Sequence, residues 1–256
     1  MRITWLLDLP PGRELDDSSG LLADALVARG HDARIITVER PVPYFGGKRA
    51  EWIEVDDWRM ADLEAADVVI ATSPRAARIA GERAITAPDA AIVPDEIYRE
   101  RTPREHEPLR VLLAGASQNQ DAQIDDGYGA ITHARWFHQK IELVRMAPWA
   151  PSREEPLDNV EEYHVGLNAE ETVRLLHSCD VVVVPGTPGF IARAAMAAGI
   201  PLLSEGRTAV ELGERLIEVL SDDELRDRLR VEGREKAEAW RADVVAERVE
   251  RELGLA

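Results

Sequence analysis

The chain has 256 residues, 45% hydrophobic and 31% charged, with a formal net charge of −17. This composition fits a folded globular protein of one large or two small domains and excludes wholesale disorder. The acid excess repels phosphate backbones and anionic bilayers, so nucleic acid is not expected as a partner. The only cysteine, Cys179, rules out an internal disulfide and a Cys-rich zinc site, and its setting in "SCDVVVVP" marks it as core filler. No apolar run approaches the ~20 residues of a membrane span. The start "MRITWLLDLPPG" is too short an apolar stretch for a signal peptide, so a cytoplasmic protein is expected.

In chain order, short apolar runs alternate with helical patterns. "RITWLL" (2–7) predicts a strand, "SSGLLADALVARG" (18–30) a helix with Ser18 or Ser19 as N-cap and Gly30 as stop, and "DARIITV" (32–38) the next strand. This βαβ unit predicts a parallel sheet with a right-handed crossover. "EWIEV" (51–55) is a weaker strand, 61–66 a short helix, 67–72 a strong strand, 73–82 a helix and "AAIVPD" (90–95) a last short strand. The charged, Pro-containing segment 96–108 predicts a linker. The pattern then restarts. Strands are expected at 109–115, 141–147, 160–166, 180–186 and 200–204, and helices at 127–140, 168–179 and 189–199. Asn168 and Glu171 have capping-box spacing. The charged stretch from about 208 to 254 predicts helices. The expectation is two successive α/β halves, whose ligands bind beyond the carboxyl ends of the strands or in the cleft between domains.

The turn after "DVVVVPG" carries the best local site signal. Gly186, Thr187, Pro188 and Gly189 end a buried strand, and a small-residue helix opens at Phe190, where free N–H groups favour an anion. "LLAGASQNQ" (112–120) is a second strand-to-glycine turn. His164 reads first as a hydrogen-bonded edge histidine and second as a catalytic one. His133 and His138 lie five apart, a spacing that does not share a helix face, and His31 packs in the helix-to-strand turn. The adjacent acids Asp16–Asp17, Asp56–Asp57 and Asp125–Asp126 read as exposed loop. There is no HExxH, G-x-S-x-G or Walker A pattern, and no metal site is expected.

The segment "EEYHVGLNAEETVRLLHSCDVVVVPGTPGFIARAAMAAGIPLLSEG" resembles the donor-binding domain of GT-B glycosyltransferases of family four, and "AVELGERLIEVLSDDELRDRLRVEGREKAEAW" is similar to their closing helices. "SSGLLADALVARGHDARIITV" and "ADVVIATS" resemble parts of the family's acceptor domain. The resemblance implies two Rossmann-like α/β domains in a GT-B arrangement. They are a shortened acceptor-side domain over 1–105, a nucleotide-sugar-binding domain over 106–240, and a C-terminal helix, 241–256, returning to the first. It implies a nucleotide-sugar donor in the interdomain cleft, retaining transfer to an unknown acceptor if active, and no cofactor or metal. The implied donor-binding residues are Gly115, Ser117, Val165, Gly166, Gly186, Thr187, Gly189 and Phe190, with Ser19 and Gly20 on the acceptor side of the cleft; Arg193, one residue before the second lost glutamate position, reads either as a compensating cation for the donor phosphates or as a surface helix residue. The catalytic residues are unknown.

The sequence departs from the family at several of its working positions. Two glutamates eight apart are replaced by Gly186 and Ala194, on the register of Ala195–Met196–Ala197. The arginine and lysine that neutralise the donor diphosphate have no counterpart in "GASQNQDAQIDDGYG", where Asp125 and Asp126 stand near the lysine position. The alternatives are a catalytically weak or inactive homologue acting as a binding or partner subunit, and another GT-B enzyme such as a sugar-nucleotide epimerase. A protein partner or homo-oligomer is compatible with the first of these.

Overall fold

The computed structural model describes residues 1–8, 18–38, 49–57, 59, 62–88, 91–99, 108–115, 123–138, 140–147, 155–186, 189–204 and 208–254. They form two compact units, Met1–Asp95 with Ala239–Ala256, and Glu96–Glu238.

The first unit contains β1 (Arg2–Leu7), α1 (Ser19–Ala28), β2 (Asp32–Thr37), β3 (Glu51–Glu54), β4 (Val68–Ala71), α2 (Pro74–Ala80) and β5 (Ala84–Thr86). All pairings are parallel, in the order β3-β2-β1-β4-β5. The central strands are continuous apolar runs because helices cover both faces. Ile3, Trp5, Leu7, Ile35 and Ile70 pack towards α1, while Leu6, Ile36, Val69 and Ala71 pack towards Ala76 of α2. The last helix, α8 (Ala242–Glu252), closes the α1 face with Val245, Ala246 and Val249.

Glu250 fastens α8 to the turn after α1. Its carboxylate accepts from Arg29 Nη2 at 2.6 Å and lies 2.9 Å from His31 Nε2. The Arg29 hydrogen bond holds the Glu250 carboxyl below its ordinary pKa. A depressed carboxyl contributes stability above the unfolded value, and that contribution is lost as pH falls through the folded one. Thermal midpoints measured from neutral pH down through about pH 4 should therefore fall less steeply in Glu250→Gln than in the wild type. Parallel curves would remove Glu250 from the acid response.

The second unit contains β6 (Leu109–Ala114), α3 (Gln123–Phe137), β7 (Ile141–Ala147), β8 (Glu162–Val165), α4 (Ala169–His177), β9 (Val181–Val183), α5 (Phe190–Ala197), β10 (Leu202–Leu203), α6 (Ala209–Ser221) and α7 (Asp223–Ala237). Its parallel sheet runs β10-β9-β6-β7-β8. Val111, Leu113, Val181 and Val183 face α3 and α6. Asn168 Oδ1 accepts from Glu171 N–H and Glu171 Oε2 from Asn168 N–H, both at 2.9 Å, which completes the expected capping box. Cys179 is buried, as core filler should be.

Five details differ from the sequence expectations. Ser18 is the N-cap of α1 by position, but its hydroxyl accepts from Ile92 N–H at 3.0 Å instead of capping the helix. Residues 62–67 form a turn and not a helix. Asp62 accepts from Glu64 N–H, and the single bond from Ala66 N–H to Leu63 O is not propagated. Residues 91–94 are not a strand, because Ile92 and Val93 spend their N–H groups on Ser18 and on Trp240 O; the edge strand is β5. Helix α3 begins at Gln123, so Gly127 and Gly129 lie inside it instead of before it. A Cβ on Gly127 would stand 2.4 Å from Leu113 Cδ1 and 2.9 Å from Pro185 Cγ, and one on Gly129 2.8 Å from Ala209 Cβ. These glycines permit close packing. Finally, the second unit begins at Glu96, inside the expected linker. Ile97 is buried, its carbonyl lies 3.3 Å from His177 Nε2, and Tyr98 Oη donates to Ala237 O at 2.6 Å.

Candidate functional site

In the second sheet the strand order reverses between β6 and β9, and open α/β sheets take ligands outside the carboxyl ends of the strands at such a reversal. The pairings place several sequence-predicted residues along this edge. Ala114 pairs with Met146 and Ala147 with Val165, so Gly115, Ala147 and Val165 stand level. Leu113 pairs with Val183, so Pro185 and Gly186 follow at the same height on the other side. Gly115 N–H donates to Met146 O and Gly166 N–H to Ala147 O, both at 3.3 Å. From Val165 and Gly166 across to Gly186 the row covers three strand spacings, roughly 14 Å. Gly115, Gly166 and Gly186 all have positive φ, at 150°, 59° and 91°, which lets the chain turn sharply out of the sheet.

Helix α5 opens at this edge. Gly189 is its N-cap, with no side-chain cap and no acid in the first turn, and Arg193 N–H makes the first helical bond, to Gly189 O at 3.3 Å. The N–H groups of Phe190, Ile191 and Ala192 precede that bond and have no intrahelical acceptor. Phe190 is buried and anchors the helix start, and Arg193 is half-buried one turn further. By contrast, α3 carries Asp125 and Asp126 in its first turn, which oppose an anion there. Ser117 and Thr187 lie outside the described residues. Ser19 and Gly20 are buried in the first turn of α1, in the first unit.

Gly186 and Ala194, the positions aligned by resemblance with a glutamate pair, differ in kind. Gly186 has φ +91°, where an L side chain is strained, and Ala194 is 0% exposed. His164 lies 3.0 Å from Glu162 Oε2, which fits the edge-histidine reading. His138 Nε2 lies 2.7 Å from Ser221 Oγ, and the His133 ring packs on Phe137. Among the described residues no group of three or more His, Cys, Asp or Glu is placed to hold a metal ion, and no helix is long and apolar enough to cross a membrane.

Sequence reasoning missed a buried polar cluster just inside this edge. Arg145, on β7, is 0% exposed. Its Nε donates to Glu155 Oε2 at 3.0 Å and its Nη2 to Glu155 Oε1 at 3.3 Å. Its Nη1 donates to the Met146 carbonyl and, at 3.4 Å, to the Leu113 carbonyl. Tyr128 Oη donates to Glu155 Oε2 at 2.6 Å, and Tyr163 Oη to Glu155 Oε1 at 3.4 Å. Burial pushes both phenols above their ordinary pKa, and the hydrogen bond to Glu155 adds to this for Tyr128. The pair is internally neutralised, so Arg145 offers the edge no net positive charge. An arginine inside the apolar run "IELVRMA" was the available signal.

No protein-family model matches the chain, and no curated protein sequence matches it. Solved structures do match. The chain is similar to a sucrose-phosphate synthase from Thermosynechococcus elongatus, with TM-score 0.63 and 14% identity over 99% of this chain and 98% of the other. It is similar to WaaG, a glycosyltransferase involved in lipopolysaccharide biosynthesis, with TM-score 0.62 and 16% identity over 97% and 98%. A glycosyltransferase from Rickettsia africae ESF-5 matches with TM-score 0.64 and 10% identity over 96% of each chain. Two Rossmann-like α/β domains with parallel sheets, followed by a helix that returns to the first, match GT-B glycosyltransferase structures, and this is the fold of the chain.

Proposed function

We propose that the chain is a glycosyltransferase-like protein of the family-four type that binds a nucleotide-sugar donor on the second unit, with retaining transfer to an acceptor if it turns over. The observation that carries this reading is the carboxyl-edge row from Val165 and Gly166 through Gly115 to Gly186. It ends at the uncapped, acid-free start of α5. Such an edge accepts an elongated ligand, with a phosphate at the helix start where N–H groups and dipole favour negative charge. Arg193 is the side chain nearest in sequence to add a cation to that start. No resident metal is expected in this reading; the helix start and Arg193 would meet only part of the charge that develops on the leaving group.

A thermal-shift screen against nucleoside diphosphates and nucleotide sugars tests the reading. A ligand at a hundredfold excess over its Kd stabilises by about 2.7 kcal/mol. At least one nucleotide should raise the midpoint, and Arg193→Ala should weaken that nucleotide roughly tenfold, as expected for a lost charged hydrogen bond. No response to any nucleotide would overturn donor binding, and an unchanged affinity in Arg193→Ala would make that residue a bystander.

A second reading, a binding homologue with little or no turnover, is favoured by Asp125 and Asp126 at the start of α3, the left-handed backbone at Gly186 and the burial of Ala194. The two readings share the nucleotide site and part on catalysis.

A further inference from the structure

The first unit has its own switch point. Its strand order reverses between β1 and β4, while α1 and α2 leave to opposite faces of the sheet. In open α/β sheets ligands bind outside the carboxyl ends of the strands at such a reversal, which here is the end of β1 and β4. The residue directly after β1 is Asp8, and the two directly after β4 are Thr72 and Ser73. Up to that point both strands are apolar and buried apart from Arg2 and Thr4.

These three residues hold one another. Thr72 Oγ1 accepts from Asp8 N–H at 2.8 Å and donates to Leu6 O at 3.2 Å, with Asp8 O an alternative acceptor at 3.4 Å. Ser73 Oγ accepts from Ala76 N–H at 3.1 Å, capping α2, and donates to Asp8 Oδ2 at 2.6 Å. Both hydroxyl protons are thereby committed. Asp8 is half-buried, and among the described residues its Oδ1 receives no hydrogen bond and no cation pairs with it. An ionised carboxylate only accepts, so the group that completes it must bring O–H or N–H donors.

We propose that Asp8, oriented by Ser73 and Thr72, is the contact for a neutral, hydroxyl-bearing acceptor, a sugar or polyol, in the crevice of the first sheet. The term acceptor rests on the glycosyltransferase reading; the carboxylate site does not. Charge sets the substrate class. The Asp8 carboxylate, with no cation paired to it among the described residues, locally disfavours a phosphorylated or carboxylated ligand, whereas hydroxyl donors suit its open oxygen. Ser19 and Gly20, in the first turn of α1, lie at the same end of this sheet and are the other candidates for contact.

The test is saturation-transfer NMR on the full chain. The probes are methyl glucoside, methyl mannoside and methyl galactoside, with glucose 6-phosphate as the anionic counterpart. At least one methyl glycoside should bind, glucose 6-phosphate should bind at least tenfold more weakly, and Asp8→Asn should weaken the glycoside about tenfold, as for a lost hydrogen bond to a charged group. The amide oxygen that Asp8→Asn introduces can still accept from Ser73, so the fold should hold; Asp8→Glu, which keeps the charge but moves it by one methylene, should also lose affinity. Wild-type binding in both variants, equal or tighter binding of glucose 6-phosphate, or saturation of none of the three glycosides would overturn the proposal. A midpoint change in Asp8→Asn with unchanged glycoside affinity would reduce Asp8 to a support for Ser73 and would overturn it too. The nucleotide screen reports separately. Asp8-dependent glycoside binding without any nucleotide response would sink the donor reading and leave this site standing, and the converse would sink only this site.

Discussion

Glu155→Ala should destabilise the second unit by about 3–5 kcal/mol, because it leaves the Arg145 guanidinium buried without its counter-charge. Both side chains are essentially inaccessible, at 0% and 1%. Removing the carboxylate strands the guanidinium with two backbone carbonyls and deprives Tyr128 of its acceptor. In a chain of this size the loss lowers the thermal midpoint by roughly 10 °C, readable by calorimetry. Replacing the cluster together, as Arg145→Met, Glu155→Leu and Tyr128→Phe, should recover most of the loss, since a desolvated pair gains little over apolar packing. Alkaline behaviour provides an independent check. The Tyr128 phenol is raised above its ordinary range by burial first and by Glu155 second. Its contribution is full below the unfolded value of about 10 and is lost as pH rises through the folded one, so Tyr128→Phe should flatten the alkaline fall in stability. A Glu155→Ala chain within about 1 kcal/mol of wild type would show that the pair is not closed in solution.

The purified chain alone should hydrolyse or transfer from nucleotide sugars at close to the uncatalysed rate. As the sugar bond breaks, the leaving diphosphate gains negative charge, which members of the resembled family meet with an arginine and a lysine. Here no Arg or Lys occurs between Arg110 and Arg135, and α3 opens with two acids. Losing one preorganised contact of this kind costs roughly 3 kcal/mol of barrier, or a hundredfold in rate. The losses are not additive, but two or more should leave little catalysis. Gly186→Glu with Ala194→Glu should not restore it. The first puts a side chain at φ +91°, a cost of about 1–2 kcal/mol, and the second puts a carboxylate in a fully buried position, so the doubly substituted chain should also melt lower. Robust turnover by the wild-type chain, measured as released nucleoside diphosphate, would sink this view. So would activity gained by the double variant.

The layout of the fold was legible in local patterns. Short, β-branched apolar runs such as "RITWLL" and "DVVVV" read as strands buried on both faces, and the helical stretches between them favour parallel crossovers. The cap at Asn168 and Glu171 was readable for the same reason, since its two hydrogen bonds span three residues. The glycine turns of the second sheet's carboxyl edge, from Gly115 to Gly186, were also visible as strand ends. What the sequence could not supply were contacts made by residues far apart in the chain. Gly127 and Gly129 looked like a break before a helix, yet they sit within α3 because Leu113, Pro185 and Ala209 leave no room for a Cβ. Ile92 and Val93 have the composition of a strand, but Ser18 and Trp240 take their N–H groups. Asp8 was one acid among many until the strand order set it beside Ser73, 65 residues away. Arg145 acquired its meaning only when the loop residue Glu155 folded beneath the sheet edge to meet it. Sequence determined the elements because periodicity and capping act over a few residues. The tertiary structure decided which polar groups share a crevice or a core, because strand order and close packing join positions that local patterns cannot connect.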